Sequence, residues 1–184
     1  MNILFVNKEK KKIGIGRFIT NQKKSLEPLG INVLQFIIKG KGKLAYLKNA
    51  KRFKKFIDKH KIDIIHAHYS LSGFFSVIFS RKPVVVSLLG SDVNSNFIHR
   101  LVIRIFVKLF WKGTIVKSRA MYELLNVNSV NIIPNGVDLE RFHYIEQKQA
   151  LYSSNLDSKN KNVILFSNPP DNPVKNVDLA KKAI

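Results

Sequence analysis

Short apolar runs punctuate the chain at Ile3–Val6, Asn32–Ile38, Asp63–His66, Val84–Leu88, Thr114–Lys117, Asn131–Ile133 and Val163–Phe166. They are rich in Ile, Val and Phe and are bounded by Gly, Pro, Asn or charge, which predicts strands. Their apolarity is continuous rather than alternating, as in strands buried on both faces. Between them, helical periodicity predicts helices near 16–28, 44–60, 71–80, 97–111 and 119–126. In the second of these, Leu47, Ala50, Phe53 and Ile57 recur every three or four residues, with lysines on the other side. Strand–helix–strand repetition predicts an α/β fold: a doubly wound, Rossmann-like parallel sheet with helices on both faces.

One internal echo bears on domain organisation. "NILFVN" at 2–7 is similar to "NVILFSN" at 162–168, each a buried-strand pattern ending at Asn before a polar loop. The expected division is a first domain over residues 1–150, a linker over 151–160, and the first strand and helix start of a second, truncated domain over 161–184. The alternative is that the last strand and helix finish the first domain. "IIPNGVD" (132–138) would close the last strand of the first domain and send the chain onward.

The 184 residues are 45% apolar, which suffices for a packed core. Cysteine is absent, so disulfide scaffolds, thiolate metal sites and cysteine nucleophiles are excluded. The apolar run at the N-terminus is too short for a signal-peptide core. No stretch reaches the roughly 20 uncharged apolar residues that span a bilayer, so a cytoplasmic location is expected. Charge is the unusual feature: 32 basic against 12 acidic residues, net +20, with 17 Lys/Arg and 3 Asp/Glu in residues 1–61 alone. Such a field attracts nucleic acid, anionic lipid or phosphorylated small molecules. A lysine-rich composition that fills every exposed face would produce the same count.

Several stretches could carry chemistry. "KKIGIGRF" (11–18) joins the first strand to the first helix, where Gly14, Gly16 and Arg17 could let backbone and a helix N-terminus approach a phosphate. Ile19 stands where a dinucleotide fingerprint needs a third Gly, and no acid ends the second strand, so nicotinamide binding is disfavoured. "DIIHAHYS" (63–70) places His66 and His68 on one strand face, suited to hydrogen bonding or proton handling, or to a satisfied structural pair. "VVVSLLGSDV" (84–93) brings Gly90, Ser91 and Asp92 to the same sheet edge, where Asp92 could take a proton or bind sugar hydroxyls, or cap the next helix. "FIHRLVIRIFVKLFWK" (97–112) carries Arg100, Arg104, Lys108 and Lys112 at intervals of four among Phe and Trp111. That pattern suits a membrane interface with Arg100, Arg104, Lys108 and Trp111 facing lipid, or a helix wedged against the sheet with a basic outer edge. Ser118 reads as a helix cap or a ligand contact. Lys175 and Asn176 open a helix after a Pro-rich loop, an arrangement favourable to pyrophosphate.

Taken in order, "GIG", "DIIHAHYSLSG", "VVVSLLGSDV", "IVKSRAM", "IIPNGVDLERF" and "NPVKNVDLAKKAI" resemble the glycosyltransferases of family 4, which have the two-domain GT-B fold. The resemblance implies an N-terminal acceptor-binding domain and a C-terminal domain that holds a nucleotide-sugar, with Asn135 and Gly136 facing the cleft between them. It implies a retaining sugar transferase that acts on a lipid-linked or membrane-proximal glycan in surface-polysaccharide assembly, peripheral on the inner face of the cell membrane. Gly14 and Gly16 would form the acceptor-side loop near the donor phosphate, and Lys175 would hold the donor diphosphate. His66, Gly90, Ser91 and Ser118 would line the cleft, with His68 and Asp92 catalytic. Many relatives place a His before the Gly of the fourth-strand motif. Here that position is Leu89, which shifts weight to Asp92. The donor is a substrate, so no cofactor is expected, and no metal. Expected partners are the nucleotide-sugar, the acceptor, anionic membrane and a C-terminal half supplied as a separate chain. The alternatives are a non-catalytic membrane-side partner of a split glycosyltransferase and a basic α/β nucleic-acid-binding module; nucleic acid is not an expected partner, since no recognised nucleic-acid motif is present. The chain alone is not expected to turn over donor.

Overall fold

In the computed structural model the apolar runs up to Ile132 become one parallel sheet. The structure describes residues 1–9, 15–154, 164–167, 170–171 and 175–184, without the side chains of 15–17. The strands are β1 (Asn2–Lys8), β2 (Asn32–Ile38), β3 (Ile64–His68), β4 (Val84–Ser87), β5 (Gly113–Val116) and β6 (Asn131–Ile132). The helices between them are α1 (Ile15–Leu26), α2 (Leu44–Lys59), α3 (Ser70–Phe79), α4 (Phe97–Leu109) and α5 (Arg119–Leu125). The spatial order is β2-β1-β3-β4-β5-β6 and every pair is parallel.

Two packed layers follow from the alternation of side chains along each strand. Leu4, Val6, Ile65, Ala67, Val84, Val86 and Val116 face one cluster shared with α2–α5, including Phe53, Phe75, Ile103, Trp111 and Leu125. Phe5 and Val33 point the other way and pack on Ile19 of α1, with Phe18 and Leu26 alongside. Central β1 and β3 are therefore buried on both faces, whereas β2 at one edge alternates and β6 at the other is exposed.

Two details depart from the sequence pattern. Leu47 of α2 is exposed, and the buried stripe runs instead through Tyr46, Asn49 and Phe53. Asn49 is tolerated there because its amide donates to the Lys39 carbonyl (2.8 Å) and the Ala45 carbonyl (2.7 Å), pinning the β2–α2 turn. Of the strand expected at Val163–Phe166, Val163 lies outside the described residues, and Ile164–Ser167 carry no regular structure, with Leu165 85% exposed. A lone extended segment must pair its backbone groups with a neighbour, and the described residues offer it none.

The chain divides into two compact units, Met1–Asp138 and Leu139–Ile184. The second contains α6 (Gln147–Ser154), within a stretch expected to be domain end and linker, and α7 (Val177–Lys182). Asn176 caps α7 by accepting from the Leu179 N–H at 3.2 Å.

Packing between α3 and the sheet is tightest at Gly73. A Cβ there would lie 2.7 Å from Val86 Cγ2 and 2.9 Å from Trp111 Cζ2. Gly73→Ala should therefore destabilise the domain by about 1–2 kcal/mol, because overpacking outweighs the gain in helix propensity. Urea unfolding followed by circular dichroism measures this.

Candidate active site

The strand order reverses direction between β1 and β3, and in open parallel sheets such a switch point opens a crevice at the carboxyl ends of the strands. A cleft of about 590 Å³ lies there. Its walls come from strand ends and the loops after them: Asn7 and Lys8 from β1, His68 and Tyr69 from β3, and Leu89 and Ser91 after β4. Lys117 after β5 and Asn135 after β6 continue the wall, and Gly42, Lys43 and Tyr46 close it from the start of α2. Lys8 is fixed by donating to the Gly42 carbonyl at 2.7 Å and lies over the Tyr46 ring. Three lysines thus surround one opening.

His66 and His68 project from the same face of β3, and their rings stack 4.5 Å apart. Phe5 meets both edge-on. His66 Nε2 bonds Ser87 Oγ at 2.9 Å, and His68 Nε2 bonds Gln22 Oε1 of α1 at 3.0 Å. With Gln22 Oε1 accepting, His68 carries its proton on Nε2 and a lone pair on Nδ1. That Nδ1 is buried and has no hydrogen-bond partner among the described residues. Burial lowers the His66 pKa to about 4, and the nearby Lys117 charge adds to the effect. His68 falls well below the usual imidazole range for the same reasons, with His66 contributing as well. Both rings are neutral at pH 7. Lys117 is itself half-buried, and burial lowers its pKa.

The turn that carries Tyr69 is held from behind. Asp92 is 0% exposed. Its carboxylate accepts from the Ser70 N–H (3.1 Å), the Leu89 N–H (2.9 Å) and the Val93 N–H (3.2 Å). Burial raises its pKa, and these donors oppose the rise. Ser70 Oγ bonds His99 Nε2 of α4 at 3.0 Å, and the Tyr69 N–H donates to the Ser87 carbonyl at 2.9 Å. Tyr69 has φ 92°, a backbone region normally left to glycine.

The sequence profile of Glycosyltransferase Family 4 matches residues 14–141, more than half of the chain. The chain belongs to Glycosyltransferase Family 4. Solved structures agree on the fold. Sucrose-phosphate synthase from Thermosynechococcus elongatus aligns with TM-score 0.68 at 15% identity, over 86% of this chain and 53% of that one. A glycosyltransferase from Rickettsia africae aligns with TM-score 0.62 at 17% identity, over 86% and 50%. HepE from Anabaena, in complex with UDP and glucose, aligns with TM-score 0.60 at 18% identity, also over 86% and 50%. The chain spans about half the length of these structures, and its sheet matches the N-terminal half of the GT-B fold. No curated protein matches the sequence.

Within this family 4 domain the nominated residues separate into several groups. His68, Ser91 and Asn135 lie on the cleft wall. His66 lies behind His68, bonded to Ser87, and is not part of the wall. Gly90 shapes the turn with φ 89°, and Gly136 follows Asn135 at the surface. Ser118 caps α5 by accepting from the Met121 N–H at 3.3 Å. Asp92 lies beneath the cleft wall rather than on it, fully buried, with its carboxylate accepting from three backbone N–H groups. Gly14 lies outside the described residues, while Gly16 and Arg17 fall in the first turn of α1. Lys175 is exposed in the second unit, just before α7.

The lipid-facing set on α4 needs correction. Trp111 is 6% exposed and stacks on Phe74 in the core. Arg104 turns back to donate to the Leu125 carbonyl at 2.7 Å, satisfying the end of α5, and Arg100 donates to the Ser95 carbonyl. Of the four nominees only Lys108 is exposed. The cleft residues that sequence reading missed are Lys8, Lys43, Tyr46, Tyr69 and Lys117. Lys8 and Lys117 had a usable signal, since each ends or directly follows a strand at the carboxyl edge. Among the described residues no group of three His, Asp or Glu is placed to hold a metal ion.

Two outcomes follow. Asp92→Asn should destabilise the domain by about 1–3 kcal/mol, because an amide nitrogen cannot accept from the backbone donors it would face; thermal or urea unfolding checks this. Acid should also weaken the fold. The His66 pKa is about 4 when folded against 6.5 as an ordinary imidazole, so on acidification the unfolded chain takes the proton first. The stabilisation from His66 is complete above pH 6.5 and is lost as pH falls towards about 4, about 3 kcal/mol in all. Unfolding free energies from pH 7 to pH 4 should show that slope, and His66→Asn should reduce it, leaving the part that comes from His68.

Proposed function

We propose that this chain provides the acceptor-side lobe of a sugar transferase that uses a nucleotide-sugar donor. One observation carries the reading: Lys8, Lys43 and Lys117 surround the cleft mouth beside the neutral, buried His68. Cations around a small apolar-walled cleft suit a ligand that carries phosphate and has little other charge. A glycan acceptor linked to lipid through phosphate has that chemistry, as in surface-polysaccharide assembly. UDP in the HepE complex supports a uridine nucleotide as donor class.

In this reading an acceptor hydroxyl attacks the anomeric carbon of the donor sugar with retention. The bond from that carbon to the diphosphate breaks, and the hydroxyl proton leaves with the nucleoside diphosphate. The main catalytic task is to stabilise charge on the departing diphosphate. By the resemblance of its motif, Lys175 is the residue proposed for that task. His68, neutral and held by Gln22, gives the cleft wall an uncharged ring beside the lysines. Tyr69 and Tyr46 provide ring surface for a sugar.

Titration of the full chain with a short-chain lipid diphosphate bearing one sugar, followed by backbone amide NMR, tests the proposal. Shifts should centre on Lys8, His68, Tyr69 and Lys117. Lys117→Ala should weaken binding by about tenfold, the loss of one charge-assisted contact. Equal affinity for the same compound without its diphosphate, or shifts away from the cleft, would refute it.

A further inference from the structure

We infer that the outward face of α4 docks on an anionic lipid bilayer, through a set of residues different from the basic stripe that the sequence suggests. At about 100° per residue, Phe97, Leu101, Ile105, Ile98 and Leu109 fall within an arc of about 120°. All five are exposed, between 43% and 72%. The opposite side of the helix, Ile103 and Val107, is in the core. An apolar stripe on the solvent side is the reverse of what a surface helix needs.

Charge selects the occupant. Lys108 lies within the same arc and Lys112 just beyond the helix, both exposed. Between Asp92 and Glu123 the chain has Arg100, Arg104, Lys108, Lys112, Lys117 and Arg119 and no acid at all. A second copy of the chain would bring that cationic surface against itself. Nucleic acid would use the cations and leave five large apolar side chains in water. An anionic bilayer takes both, with apolar residues in the acyl boundary and lysines among the headgroups. No described helix is long and apolar enough to cross a membrane, so α4 lies in the interface plane. By the right-handed α/β connection, α4 begins at the sheet edge on which the cleft opens.

Co-sedimentation of the full chain with vesicles tests this. The probes are vesicles of phosphatidylglycerol and phosphatidylcholine in equal parts, and vesicles of phosphatidylcholine alone. The wild-type chain should partition into the mixed vesicles and weakly into the neutral ones. The double variant Ile98→Ser, Leu109→Ser should lose about tenfold or more in partition. Both positions are exposed, so its melting temperature and circular dichroism should not change. Lys108→Glu should weaken binding to the mixed vesicles and leave the neutral-vesicle value unchanged. The inference is overturned if the wild-type chain stays in solution with mixed vesicles. It is also overturned if the folded double variant partitions like the wild type, or if the double variant acts only by abolishing a concentration-dependent dimer. Vesicle binding needs nothing in the cleft, so this result and the sugar-transfer reading stand or fall separately.

Discussion

The geometry of the cleft depends on one buried carboxylate. Asp92 gathers N–H groups from the start of α3, from the loop after β4 and from the residue that follows it. A parallel sheet delivers loops to its carboxyl edge but does not fix their relative positions. Here two loops from neighbouring strands share one acceptor, so the wall residues Tyr69, Leu89 and Ser91 move as one piece. Removing a charge from water is costly unless donors surround it. Placing it in an all-donor nest offsets part of that cost and makes the loop conformation specific.

The two faces of the sheet have different work. The α2–α5 side holds nearly all of the aromatic packing and gives the domain its rigidity. The α1 side carries the histidine pair, Ser87 and Gln22, so its polar groups cluster under a single helix. Lys117 reaches the same region from β5 and helps keep both imidazoles neutral. The histidine pair beneath the cleft is therefore uncharged, while Lys8, Lys43 and Lys117 bring positive charge to its walls.

Much of this was legible in the residue pattern. Buried parallel strands announce themselves by uninterrupted Ile and Val runs, and β1 to β6 were located that way. The run at 163–166 has the same composition but lacks partner strands among the described residues, and composition does not encode partners. Asp92 was ambiguous because an acid after Gly at a strand end suits a substrate and a backbone nest equally, and sequence carries no measure of burial. The α4 cations misled for a related reason. Arginine is long enough to turn back and satisfy carbonyls, so sequence spacing did not set its direction, and the exposed arc passed to Phe, Leu and Ile. His68 was found because period-2 spacing is rigid. Tyr69 was missed because a left-handed backbone is signalled by glycine, and no glycine is there.

That tyrosine has a consequence for how the domain trades stability against shape. A side chain held at φ 92° costs on the order of 1–3 kcal/mol relative to relaxed backbone. Glycine at this position would remove the strain and with it the phenol that walls the pocket. The fold therefore keeps a locally tense hinge between its central strand and its most buried helix, tolerable because the surrounding core is dense enough to absorb it. Any loosening of that core should be felt first at this turn, so the pocket would lose its form before the sheet loses its strands.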